Sequence, residues 1–186
     1  MKQTLKTVLL DTVDLLESRS FPHALVGGLA ASIRGRTRVT EDVDFVVVCS
    51  VDQAVALAES LEGQAFTPLF PEFEQVIRRS FILPLQHQDT GVAVDLAIGV
   101  SGFEKQVVSR ATDVTIDNRL FAVAAPEDLL LMKILAGRPQ DDQDVKGIVS
   151  VEGASLDWDY CLKVAARLEQ AVGIDMVGRI RKLKDN

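Results

Sequence analysis

The sequence predicts an α+β protein, with a mixed β-sheet flanked by helices over residues 1–125 and a helical part packed on that core over residues 126–186. Three observations carry this prediction. Short apolar runs of strand length, bounded by glycine, proline and acidic residues, recur up to Ala125. From Pro126 onward every signal is helical. Between these lies the third observation: Asp42 and Asp44 flank a single valine at the mouth of the run Phe45-Val46-Val47-Val48. Aspartate is a poor strand former, yet side chains at i and i+2 of a strand share a face, so both carboxylates project together.

Taken in order, TLKTVLLDTVDLLES is an amphipathic first helix, with Leu5, Val8, Leu9, Val13 and Leu16 at helical spacing. HALVGG is a short strand running into a glycine turn, and LAASIRG a small-residue helix ending near Gly35. RTRVTE is a loop before the strand DVDFVVV. VDQAVALAESLEG is helical, with Asp52 expected to cap it and Gly63 to end it. The proline-bearing stretch from Gln64 to Glu74 is expected to be irregular. VIRRSFILPL and GVAVDLAI then form a hairpin, Pro84 marking an edge or a strand end, and NRLFAVA adds a strand. PEDLLLMKILAG carries proline at its first turn, acids beside it and Gly137 at its end, the expected order for a helix. DDQDVKGIVSVEG, SLDWDYCLKVAARLEQAVG and the basic tail RIRKLK complete the helical part, where Trp158 is expected to serve packing.

Composition narrows the function classes. The 47% apolar content supports a folded core in a chain of 186 residues. Lys6, Asp11, Asp14 and Glu17 interrupt the first apolar stretch, so neither a signal peptide nor a membrane span is expected, and no membrane partner. Cys49 and Cys161 stand far apart, which implies a reduced, cytoplasmic protein. A formal charge of −7 argues against broad, nonspecific coating of nucleic acid. Arg34, Arg36 and Arg38 nevertheless cluster just ahead of the aspartate pair. His23 and His87 are isolated, without the ligand spacing zinc requires.

The chemistry lies with Asp42, Asp44 and a third carboxylate, Asp95, in the strand VAVDLAI. A carboxylate inside an apolar strand is costly unless it is paired or metal-bound. If the two strands are neighbours, the three converge on one sheet edge and offer hard oxygen donors suited to Mg²⁺ or Mn²⁺. Paired ions about 3.5–4 Å apart stabilise both attacking and leaving oxygens. Ahead of them, Gly27-Gly28 ends a strand and opens a helix, where backbone can approach a phosphate.

Gly27-Gly28, thirteen intervening residues, Asp42-Val43-Asp44 and a later strand aspartate together resemble the DNA polymerase β-type nucleotidyltransferase superfamily. Within it, the sequence is most similar to AbiEii/AbiGii-type nucleotidyltransferase-like proteins, which include toxins of toxin–antitoxin and phage-defence systems. RTRVTEDVDF resembles that family's Arg-x-Thr-x-Asp-x-Asp run and sets Arg38 and Thr40 beside the metal site. PEDLLLMKILAGRPQDDQDV resembles its later helix and loop, with Lys133, Arg138, Asp141 and Asp144 at matching positions and Gln140 where a basic residue is usual.

The resemblance implies a nucleotidyltransferase core and transfer of a nucleoside monophosphate from a nucleoside triphosphate to an acceptor hydroxyl. Asp42, Asp44 and Asp95 would hold Mg²⁺ or Mn²⁺, and Asp95 would also take the hydroxyl proton. Gly27, Gly28, Arg38 and Thr40 would seat the nucleotide, and Lys133 would neutralise its charge. Asp141, Asp142 and Asp144 read as structural support. The acceptor implied is RNA, including tRNA, with a cognate antitoxin as protein partner. Two alternatives stand beside this: the same chemistry on a protein or small molecule, and a noncatalytic nucleotide-binding regulatory module.

Overall fold

The computed structural model describes residues 3–185. Helix α1 (Gln3–Ser18) buries Leu5, Val8, Leu9, Val13 and Leu16, the stripe its spacing predicts. Strand β1 (His23–Leu25) turns into α2 (Gly27–Arg34) through Gly27, whose φ of +66° an L side chain rarely adopts. An irregular loop then leads to β2 (Asp42–Val47). Helix α3 (Val51–Glu59) starts differently from expectation. Ser50, not Asp52, is its cap: the Ser50 hydroxyl accepts from the Gln53 amide while the Gln53 side chain accepts from the Ser50 N–H. Asp52 lies in the first turn, where its charge suits the positive end of the helix dipole. The helix ends at Ser60, and Gly63 serves the turn beyond it.

The stretch after α3 departs furthest from the sequence reading. It contains a short strand β3 (Phe66–Pro68) and a helix α4 (Phe73–Ser80) before β4 (Ile82–His87). Residues 76–80, expected to open a strand, are helical. Ile77 is the buried residue of α4, and Arg78 reaches back four residues to Glu74 and across to Asp52, a 3.6-residue rather than a two-residue logic. Phe81 adopts the left-handed conformation, φ 56°, which stops the helix and turns the chain into β4. The hairpin of β4 with β5 (Ala93–Ile98) is present. Pro84, however, sits inside β4, between β3 and β5, at neither an edge nor a strand end. Its carbonyl accepts from Leu69 N at 2.9 Å, so its backbone polar groups face the side just past β3, and its missing N–H removes no bond to β5.

Helix α5 (Gly102–Arg110) and strand β6 (Thr112–Ile116) have no counterpart in the sequence reading. A signal for α5 was there: Ser101 and Glu104 form a capping box. β7 (Arg119–Val123) is the expected NRLFAVA strand, joined to β6 through Asp117 and Asn118, both at positive φ. Among the described residues, seven strands form one mixed sheet in the order β3-β4-β5-β2-β1-β7-β6. β2 runs parallel to β5 and β1 parallel to β7, and the remaining pairs are antiparallel. α1 and α5 pack on β2, and α3 on α4.

The C-terminal helices are α6 (Pro126–Ala136), α7 (Pro139–Glu152), α8 (Trp158–Val172) and α9 (Val177–Lys184). α6 packs against α7 and α8, and α8 against α9. Leu129, Leu130, Leu131 and Ile134 bury α6 together with its polar Glu127, Asp128 and Lys133, so this helix has no broad solvated face. Trp158 donates its indole N–H to the Gly153 carbonyl at 3.2 Å. The chain divides into two units: one runs to Leu29 and resumes over Val39–Ala124, the other takes Ala30–Arg38 and everything from Ala125. Among the described residues no helix is long and apolar enough to cross a membrane. Neither Cys49 nor Cys161 takes part in a disulfide.

The capping box gives the first test. Ser50→Ala should destabilise the protein by about 1 kcal/mol, lowering Tm by about 2–4 °C in a chain of this size. Asp52→Ala should cost less, because it removes an exposed ion pair to Arg78 and a solvent-screened charge in the first turn rather than a cap. Thermal melts of the two variants decide which residue starts α3.

Candidate active site

The sheet order makes β2 and β5 neighbours, and their parallel register sets Asp44 directly opposite Asp95. Opposed residues share a face, and Asp42 lies two positions before Asp44, so all three carboxylates project from the same side. The intervening positions do the opposite. Val43, Phe45, Val94 and Leu96 are fully buried, while Asp42 is exposed and Asp44 and Asp95 are half-buried. This alternation anchors the aspartates: the register cannot slip by one residue without exposing four apolar side chains. Burial pushes the Asp95 carboxyl up, and the nearby negative charge of Asp42 pushes it further. Among the described residues no three His, Cys, Asp or Glu side chains close into a metal-ligating group as they stand. The donor set is nonetheless all hard oxygen with like charges facing one another, the chemistry that Mg²⁺ or Mn²⁺ relieves.

Two further groups shape the aspartates. The Thr40 hydroxyl donates to Asp42 Oδ1 at 2.6 Å, which orients that carboxylate. Val26 N donates to the Asp44 carbonyl at 2.9 Å, holding the turn that follows β1 against β2. A side chain on Gly27 would overlap the Asp44 carboxylate itself. Glycine is therefore required at that position twice over, by the left-handed backbone and by this approach. The result sets Gly27 and Gly28, the first turn of α2, beside Asp44, where a helix N-terminus suits a phosphate.

Arg38, Lys133, Arg138, Asp141 and Asp144 belong to the second unit, where they form one ionic network. Lys133 is buried and meets Asp144 at 2.8 Å and Asp141 at 3.2 Å. Arg38 grips Asp144 with two bonds, Nε to Oδ1 at 2.6 Å and Nη2 to Oδ2 at 3.1 Å. Arg138 likewise holds Asp141, through Nε at 2.8 Å, Nη2 at 3.1 Å and its own backbone N at 3.1 Å. Burial alone pushes the Asp141 carboxyl up, but these bonds from Arg138 and Lys133 outweigh it and hold its pKa low. A lowered carboxyl pKa stabilises the fold above the ordinary aspartate value of about 3.9, and that stabilisation is lost as pH falls through the lowered pKa. That one lysine serves two aspartates and that Arg38 closes the network was not legible beforehand. The only sequence signal was the three-residue spacing of Asp141 and Asp144, which sets both on one helix face.

Residues 3–184 match the model of a family described as a nucleotidyltransferase of unknown function, DUF6036. The chain belongs to this nucleotidyltransferase family. Its fold is similar to that of the antibiotic-resistance factor ANT(2'')-Ia, at 15% identity over 93% of this chain and 95% of that one, with a TM-score of 0.60. It is also similar to an antigenic nucleotidyltransferase-like protein from Paracoccidioides brasiliensis, at 20% identity over 97% and 93% of the two chains, TM-score 0.55. A third likeness is to the lincosamide antibiotic adenylyltransferase LnuA, at 17% identity over 81% and 98%, TM-score 0.51. At these identities the likeness is one of fold. No curated protein sequence is significantly similar to the chain.

The two units yield separate tests. Because the folded-state pKa of Asp95 is raised, the folded protein binds that proton more tightly than the unfolded chain does, and the charged form costs stability. Asp95→Asn should therefore melt higher than the parent at pH 7 without metal, the gap narrowing as pH falls through the raised pKa. A lower melting temperature at pH 7 would contradict the crowded-carboxylate reading. In the second unit, Lys133→Met strands two buried carboxylates with fewer partners and should cost about 3 kcal/mol or more by urea denaturation.

Proposed function

We propose that the protein transfers a nucleoside monophosphate from a nucleoside triphosphate to an acceptor hydroxyl, with Mg²⁺ or Mn²⁺ held by Asp42, Asp44 and Asp95. The observation that carries this reading is the in-register pairing of Asp44 with Asp95, with Asp42 on the same face. Ions held by Asp42, Asp44 and Asp95 would supply charge stabilisation for the transferring phosphoryl group. The chain's own residues supply the rest. Thr40 orients the Asp42 carboxylate through its hydroxyl. The first-turn amides of α2 receive phosphate oxygens beside Asp44. Asp95, whose pKa is raised by burial and by the nearby charge of Asp42, takes the acceptor's proton.

For the acceptor, the resemblance to AbiEii-type proteins supports RNA, with a toxin role and an antitoxin partner. The fold likeness to a lincosamide adenylyltransferase supports a small hydroxylated molecule. One observation favours the small molecule. The cations best placed in sequence to form a basic rim are engaged by carboxylates: Arg38 by Asp144, Lys133 by Asp141 and Asp144, Arg138 by Asp141 and Arg179 by Asp142. Salt bridges already made leave less charge for a phosphodiester backbone, whose neutralisation supplies most nucleic-acid affinity.

Asp44→Asn is the decisive variant. It keeps shape and removes one negative charge, so stability without metal should hold or rise. Label transfer from a nucleoside triphosphate should fall by about two orders of magnitude or more. Melting curves without metal, and transfer assays offering total RNA, total protein and a small-molecule extract in parallel, separate the readings. Lower stability with undiminished transfer would make Asp44 a fold residue and end the proposal. Label appearing in RNA alone would return the acceptor to the toxin-like reading.

A further inference from the structure

Arg36 entered the sequence reading as part of an arginine cluster, and the aspartate site leaves it without a role. It lines a cavity of about 310 Å³ in the second unit, together with Thr37, Arg38, Gln143, Asp144, Lys146 and Gly147. One wall is the loop of residues 36–38, and the other is a single face of α7, whose residues three and four apart stack along the helix. The walls are held rigidly. Arg38 grips Asp144 at the end of the loop, and Gly35 approaches α7 so closely that a Cβ there would stand 2.8 Å from the Gly147 carbonyl carbon and the Ile148 nitrogen. Gly147 is explained by the same approach: inside a helix glycine costs about 1 kcal/mol relative to alanine, and here a Cβ would stand 3.2 Å from Arg36 N.

The charges inside the cavity do not balance. Asp144 is already matched by Arg38 and Lys133. Among the described residues, the side chains of Arg36 and Lys146 make no ion pair, and those of Thr37 and Gln143 no hydrogen bond. Two uncompensated cations, a hydroxyl and an amide thus surround a space at the lower end of the usual small-ligand range. We infer that this cavity is an anion site that takes the phosphate group of a small phosphorylated molecule. Arg36 supplies a planar fork for two phosphate oxygens and Lys146 a compact point charge. Thr37 and Gln143 complete the donor set. Phosphate fits better than a carboxylate, because a dianion matches two free cations. A nucleic-acid backbone fits less well, because Arg138 at the start of α7 is spent on Asp141 and Arg179 on α9 is spent on Asp142.

The test is calorimetric titration of the full chain with pyrophosphate and with inorganic phosphate, in EDTA and low salt. Arg36→Gln and Lys146→Gln change exposed side chains, and unaltered melting curves will show that the fold is kept. Each should weaken pyrophosphate binding about tenfold, the loss of one charge-assisted contact. Pyrophosphate should also shift the amide resonances of residues 36–38 and 143–147. Unchanged affinity in both variants would overturn the assignment, even if pyrophosphate binds elsewhere. An RNA oligonucleotide that binds more tightly than pyrophosphate, and loses that binding in both variants, would overturn the small-ligand assignment in favour of a backbone reader. Because no metal is present and no transfer is measured, neither result depends on the nucleotidyltransferase reading.

Discussion

Asp44 and Asp95 face one another across a parallel strand pair whose other face is filled by Val43, Phe45, Val94 and Leu96. Two carboxylates so placed repel, and the pKa of Asp95 is raised by its burial first and by the nearby charge of Asp42 second. The sheet tolerates the crowding because the alternative is worse: a one-residue slip would bring the aspartates inside and turn four apolar side chains out. The apolar face therefore holds the polar face in a configuration it would not adopt alone. Nearby features follow from the same constraint. Gly27 must lack a side chain because Asp44 occupies that space, and Thr40 turns its hydroxyl to Asp42.

The second unit handles charge in another way. Asp141 and Asp144 are buried and would be intolerable alone, so Lys133 is buried with them and two arginines reach in from the surface. Such networks stabilise little relative to an apolar core, but they are strongly directional. Here the direction is visible. Asp144 fixes Arg38, and with it the end of the loop that begins at Gly35 and leads to Thr40 and β2.

The sequence by itself determined the α+β class, the helical C-terminal part and the two aspartate strands. Those features depend on local pattern, namely apolar period, caps and turn residues, which each segment carries within its own few residues. The misreadings came where local signals were ambiguous. Val76 to Ser80 looks like a strand because its apolar residues are few and its helix is short, and Pro84 looks like an edge because proline lacks an N–H, whereas its backbone here faces Leu69, just past β3. Ser101 and Glu104 were a legible cap left unread.

Only the tertiary structure decided which charges meet. That Asp44 pairs with Asp95 depends on β5 returning parallel to β2 after an intervening helix pair and hairpin. That Lys133 is buried against Asp144, while Arg38 reaches the same carboxylate from 106 residues away, depends on packing that no local window contains. Propensity and periodicity act over one element. Charge pairing acts across space, and the chain brings distant residues together only once its apolar faces have found one another.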